Sequence, residues 1–177
     1  MTSGERILGA RLVQPDQRTC GPSVLVVARM LNDPEYADQV LTAGSFRDEV
    51  LRLHRHANVL WPRALGTTPW AAARLMGHGC GVPGLRYRAH PIAGRRDMAY
   101  VAAGHAVRAG HPVPIYLGSR WLPRHVVLAV SHDQDGLHIY DPASGRVLPL
   151  PAGAFISASL AIAGWRRPWF VVLPSRR

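Results

Sequence analysis

The chain has 177 residues, 47% of them hydrophobic and 18% charged, a composition that supports one folded domain with its own core and excludes a disordered chain. No apolar run reaches the ~18 residues a transmembrane helix needs, and MTSGERILGARLVQPDQ has no uninterrupted apolar segment of a secretory signal, so the cytoplasm is the expected compartment. The net charge of +10 comes from 21 basic residues, all arginine, against 11 acidic ones.

The first strong element is CGPSVLVVARMLNDP. Its length, and Pro22 in what would be a first turn, favour a buried helix from Cys20, ended by Asn32-Asp33-Pro34. On that helix Cys20, Val24, Val27 and Leu31 share a face. Helices are expected over Glu35 to Leu41 and Phe46 to His56. Leu60-Trp61-Pro62 reads as an extended connector, and Thr68 caps a short helix from Trp70 to Met76. Gly77 to Gly84 is a glycine-rich loop, and Leu85 to Ala89 a short strand. Asp97 caps a helix to Ala109, which Gly110 ends.

From there β-type runs follow at Val113 to Leu117, His125 to Val130, Leu137 to Tyr140, Arg146 to Leu150 and Trp169 to Leu173, with a helix at Ala152 to Leu160. The close spacing of the middle runs predicts hairpins and an antiparallel sheet. Helices first and strands later predict an α+β fold. We read a single domain over 1–177, with a helical part to about 96 and a sheet part from 97.

Four residues stand in an order that suits thiol chemistry. Cys20 enters a helix, where the amino terminus favours a thiolate. A histidine must pair with the sulfur and later protonate the leaving group, and His125 opens an apolar strand. A third group must orient that histidine, and Asp141 closes the next strand. A turn centred on Asp133 would set residues 125 and 141 directly opposite. A turn between Gln134 and Asp135 would move Asp141 opposite Leu128, about 10 Å along the strand. The sequence leaves that register open. Gln14, six positions before Cys20, can supply an amide donor which, with the Cys20 N–H, would hold an oxyanion.

Gln14 followed by Cys20-Gly-Pro, then His125-Val-Val, then Asp141-Pro, resembles the papain-like cysteine peptidases of the bacteriocin-processing type. The AVRAGHPVPIYLG and DQDGLHIYDPASG segments add to the resemblance, which is close over 10–32 and 97–150. It implies a papain-like fold and a peptidase that cleaves leader peptides, often after a Gly-Gly pair. Cys20, His125 and Asp141 would be catalytic, with Gln14 at the oxyanion hole. The implied partner is a peptide or protein substrate, with no metal or organic cofactor; no membrane partner is expected, because no apolar run is long enough to span one. Many relatives are fused to a membrane-spanning transporter, and an aromatic residue often follows the histidine where this chain has Val126.

Other residues invite competing readings. Cys80 precedes a glycine but has Arg74 where a glutamine would stand, and reads as structural. His132 is expected in a turn, and His138 on the face away from Asp141's partner. His54 and His56 do not share a helix face as metal ligands would. Asp16 reads as a turn residue. Trp165 to Phe170 mixes aromatics with arginines as nucleic-acid sites do, but a terminal strand packing its aromatics inward explains it more simply. The arginines are scattered, with no run longer than two, so nucleic acid is not expected as a main partner. The alternatives to a peptidase are another thiol acyl-transfer enzyme (deamidase, transglutaminase or acyltransferase) or an inactive basic binding module on the same fold.

Overall fold

A computed structural model describes residues 2–57 and 66–175. The expected connector at Leu60-Trp61-Pro62 lies outside them. The order is α1 (Ser3–Gly9), α2 (Cys20–Asn32), α3 (Pro34–Ala43), α4 (Phe46–Ala57), α5 (Pro69–Leu75), β1 (Arg86–Pro91), α6 (Arg96–Arg108), β2 (Val113–Gly118), β3 (Pro123–Asp133), β4 (Gly136–Asp141), β5 (Arg146–Leu150), α7 (Ala152–Ser157) and β6 (Arg167–Ser175).

The molecule is mixed helix and sheet. Its six strands form one antiparallel sheet in the order β1-β6-β2-β3-β4-β5. β1 comes from the helical half of the chain and completes one edge. The β3 and β2 strands are buried on both faces, which is why their sequences read as apolar runs rather than alternating ones. Val126, Leu128, Tyr116 and Tyr140 pack towards α2 and its neighbours, whereas Val127, Ala129, Ile115 and Ile139 pack towards α6 and α7. Helices therefore cover both faces.

α2 is the centre of the first layer. Residues 20–28 and Met30 are all buried, so it is a core helix enclosed on every side. Thr68 caps α5 by accepting from the Ala71 N–H at 3.1 Å, as its sequence position predicts. Thr2 and Glu5 form a reciprocal capping box that starts α1, an element the sequence reading did not anticipate. Three local expectations need correction. α6 starts at Arg96 with no side-chain cap, because Asp97 already lies inside its first turn. α7 stops at Ser157 because Ala158 turns into the left-handed region, at φ 56°. His132 lies within β3 opposite Leu137, because that strand runs on to Asp133 before it turns. Among the described residues no helix is long and apolar enough to cross a membrane.

Candidate active site

The site forms where α2 begins, β3 starts and β4 ends. Residues 14–19 lead into α2 as a self-bonded loop. The Thr19 hydroxyl donates to the Asp16 carbonyl at 2.9 Å and accepts from the Asp16 N–H at 3.1 Å. The Asp16 carboxylate accepts from the Arg18 N–H at 2.8 Å, so Asp16 is the turn residue expected. With its hydroxyl committed there, Thr19 does not cap α2 with its side chain. The first amides of α2, at Cys20 and Gly21, are thus left without a side-chain cap at the positive end of a 13-residue helix.

The β3–β4 register follows from one extra residue. The hairpin turns at Gln134-Asp135, with Asp133 opposite Gly136, His132 opposite Leu137 and Ser131 opposite His138. Regular pairing from that turn would set Asp141 opposite Leu128, on the face away from His125. Val130 is instead bulged out, after which Ala129 pairs with Ile139 and Leu128 with Tyr140. Carried on by one residue, this sets Asp141 beside Val127 and diagonal to His125 on the same side, within side-chain reach. A second bulge at Arg124 immediately precedes His125, where β3 meets β2. The turn is thus, of the two that the sequence left open, the one whose regular pairing would part Asp141 from His125, and the bulge restores the pair.

The resulting geometry is compact. His125 Nε2 lies 2.7 Å from Asp141 Oδ1, with the two residues 5% and 2% exposed. With Nε2 engaged, Nδ1 is the ring nitrogen left open, and Cys20, itself 6% exposed, lies close enough to raise the ring's pKa. Asp141 Oδ1 also accepts from the Ala143 N–H at 3.1 Å, and Oδ2 from the Ser144 hydroxyl at 2.8 Å. Burial alone would lower the His125 pKa. The Asp141 bond, the Cys20 bond and the charge of both partners outweigh it, and the pKa rises to about 9. Burial would likewise raise Asp141, but bonds from His125, Ser144 and the Ala143 N–H hold it below the usual carboxylate range. The two shifts belong to one coupled pair. Chemically, this is a sulfur beside an imidazole held protonated at neutral pH and fixed in orientation by a carboxylate.

Gln14 reaches the same corner through its backbone. Its N–H donates to the Pro142 carbonyl at 2.8 Å, one residue from Asp141. The Tyr140 hydroxyl donates to the Leu12 carbonyl, tying the same two segments together. The Gln14 Oε1 position is buried without a hydrogen-bond partner, and a half-turn of the amide puts its NH₂ donor there without a change of shape.

Tyr116 and Thr67 were not singled out in the sequence. Tyr116 is buried beside Cys20. Burial first, and the Cys20 charge second, push its phenol well above the ordinary range, so it stays neutral and donates to the Thr67 carbonyl at 2.9 Å. That bond holds Thr67 against the first turn of α2, just after Cys20. A Cβ at Gly21 would lie 2.6 Å from Thr67 Cβ, so only glycine fits there. Phe170 stands edge-on to both Tyr116 and Trp70, extending an aromatic wall out to the surface.

The competing residues fall elsewhere. Cys80 is buried at the end of the wide turn Met76–Cys80, and burial pushes its thiol up to about 11. His132 packs against Gly104 and contacts the Arg108 guanidinium, and His138 faces Asp133 at 3.5 Å. Among the described residues no three His, Cys, Asp or Glu side chains cluster as metal ligands would. The chain matches no protein-family model and no curated protein.

Proposed function

We propose that the protein is a thiol peptidase of papain-like arrangement, with Cys20 as nucleophile. The observation that carries this reading is His125 held 2.7 Å from the Asp141 carboxylate, with Cys20 close enough to raise the ring's pKa and all three nearly buried. A buried titratable pair with such shifts, set against a thiol at a helix start, is what acyl transfer requires. The resemblance to bacteriocin-processing peptidases supports the same assignment, as does the packing of the Cys20 helix against an antiparallel sheet that bears the histidine and aspartate. A peptide leader, of the double-glycine kind in that family, is the substrate class it suggests.

In this reading the Cys20 sulfur attacks the scissile carbonyl carbon as the thiolate of a thiolate–imidazolium pair. The carbonyl π electrons move to oxygen, and the oxyanion is met by the Cys20 N–H and the Gln14 amide. Collapse re-forms the carbonyl and breaks the C–N bond, and the leaving nitrogen takes the proton from His125. His125, now neutral, removes a proton from water. The hydroxide adds to the thioester carbonyl, and collapse releases the acid and regenerates the pair. Asp141 keeps Nε2 bonded throughout, so Nδ1 stays aimed at the sulfur. The test is cleavage of an unbiased peptide library by wild type against Cys20→Ala. Cleavage by wild type that Cys20→Ala and His125→Ala abolish is the expected result. Equal profiles for wild type and Cys20→Ala would end the reading.

A further inference from the structure

The end of the sheet that carries His125 also presents an apolar and basic tip that the reaction above does not use. The loop 119–122 between β2 and β3 is held rigidly. The Ser119 N–H donates to the Leu122 carbonyl at 3.0 Å, and the Ser119 hydroxyl accepts from the N–H groups of Trp121 and Leu122 at 3.1 and 3.3 Å. The Trp169 indole donates to the Ser119 carbonyl at 2.9 Å, and β6 braces the loop by pairing Arg167 with Gly118. This fixed backbone holds Trp121 and Leu122 outward, 69% and 52% exposed. Two adjacent large apolar side chains kept in water by a rigid loop add nothing to the core, and such patches mark binding surfaces.

The patch is also strongly basic. The Arg120 guanidinium stacks 4.2 Å over the Trp121 ring. Arg124, Arg166 and Arg167 are exposed near the same tip, and neither 119–124 nor 164–170 contains an acidic residue. Among the described residues, none of these four arginines is in an ion pair.

We propose that this tip binds the substrate segment C-terminal to the scissile bond, and that this segment carries an apolar side chain beside acidic ones. The inference rests on the peptidase reading. The amine expelled in the acylation step takes its proton from His125, so the downstream segment departs across the imidazole side of the site. The loop that runs into His125 borders that side. Leu122 stands three residues before His125, at most about 10 Å along the chain given the bulge at Arg124. The tip therefore meets an extended substrate roughly two to four residues beyond the cleaved bond. Trp121 and Leu122 supply the apolar contact, and the four guanidinium groups select carboxylates. The same groups could attract a nucleic acid, but their place at the end of the sheet from which β3 leads into His125 favours peptide.

Two measurements test this. In the first, a proteome-derived peptide library is digested by wild type and by the Trp121→Ala/Leu122→Ala variant, whose exposed substitutions should leave the melting temperature unchanged. Wild-type cuts should be enriched for an apolar residue two to four positions downstream with Asp or Glu beside it. The variant should lose that enrichment, keep the upstream profile, and lose about tenfold in kcat/KM on the favoured peptides. A flat downstream profile in wild type, or enrichment retained in the variant, overturns the proposal.

The second measurement uses the Cys20→Ala protein, which needs no turnover. A fluorescein-labelled decapeptide alternating leucine and glutamate should bind, and both Trp121→Ala/Leu122→Ala and Arg120→Ala/Arg124→Ala should weaken it about tenfold. Equal binding of the leucine–lysine counterpart, no effect of the variants, or displacement by a single-stranded oligonucleotide at physiological salt overturns it. Binding in the second experiment without Cys20-dependent cleavage in the first would refute the peptidase reading and leave the docking surface standing. Cleavage with a flat downstream profile would do the reverse.

Discussion

Replacing Asp141 by asparagine keeps an oxygen for the His125 Nε2 hydrogen but removes the charge that favours an imidazolium. In the native site the His125 pKa rises from 6.5 to about 9, against a burial effect that pulls it down. At about 1.4 kcal/mol per pKa unit, the surroundings favour the protonated ring by roughly 3 kcal/mol. Asp141 accounts for a large part of this, through its hydrogen bond and its charge. The sign follows from linkage. A pKa raised on folding stabilises the protein fully below the unfolded value near 6.5, and that stabilisation is lost as pH rises through about 9. Asp141, lowered on folding, contributes above its unfolded value and loses that contribution as pH falls through its folded one. These are one pair, so the energy is counted once. In the Cys20→Ala protein, where no thiol exchanges its proton with the ring, melting temperature should fall as pH rises from 6.5 through the folded His125 value, and adding Asp141→Asn should give a much flatter slope there. Nitrogen-15 NMR of the imidazole should place the wild-type titration near 9 and move it towards neutrality in the variant. The alkaline limb of kcat/KM should move with it. A wild-type His125 that titrates near 6.5, or a titration unchanged by Asp141→Asn, would refute the reasoning.

Iodoacetamide at pH 7.5 should modify Cys20 and spare Cys80, whose buried thiol is pushed up to about 11; peptide mapping that finds both labelled equally would contradict this. Gly21→Ala would set a methyl 2.6 Å from Thr67 Cβ and should cost about 1–3 kcal/mol in urea denaturation. Adding Thr67→Gly, which removes that Cβ, should recover much of that loss, and strict additivity of the two changes would show that the contact is not the cause. Gln14→Ala should lower kcat about 100-fold with little change in KM or in the alkylation rate of Cys20, whereas a loss confined to KM would remove Gln14 from the oxyanion site.

Much of the scaffold around Cys20 is written locally. Pro22 fits only a first helical turn, Asp33-Pro34 ends α2, and α2 runs from Cys20 to Asn32 as that grammar demands. The strands were legible for the same reason, since each apolar run is short and closed by turn residues. α1 was missed although Thr2 and Glu5 form a capping box readable in the sequence; the apolar pattern after it is too short to draw attention. Tyr116 and Thr67 were invisible for a different reason. They are 49 residues apart, and nothing local in the run VPIYL says which carbonyl its tyrosine will find. A tyrosine inside a fully buried strand still needs a partner for its hydroxyl, and that requirement is the one signal that could have flagged it.

The Asp141 register marks the boundary between what is local and what is not. Turn chemistry fixes where a hairpin reverses, and here it reverses at Gln134-Asp135. From that turn alone Asp141 would face away from His125, and the pair would not exist. Whether Val130 bulges is decided by packing, because an inserted residue leaves the ladder locally unpaired and must be repaid by what the shifted strand buries. Beyond the bulge, Leu128 and Tyr140 stand opposite each other on the α2 side, while Ala129 and Ile139 fill the other layer. The Tyr140 hydroxyl then meets the Leu12 carbonyl, and the Pro142 carbonyl meets the Gln14 N–H. The same one-residue shift that turns Asp141 towards His125 therefore also sets the contacts that draw in the Gln14 segment. Histidine, aspartate and the backbone of the Gln14 segment come together through a single register, so their order along the chain could suggest this arrangement, but only the packed sheet could assemble it.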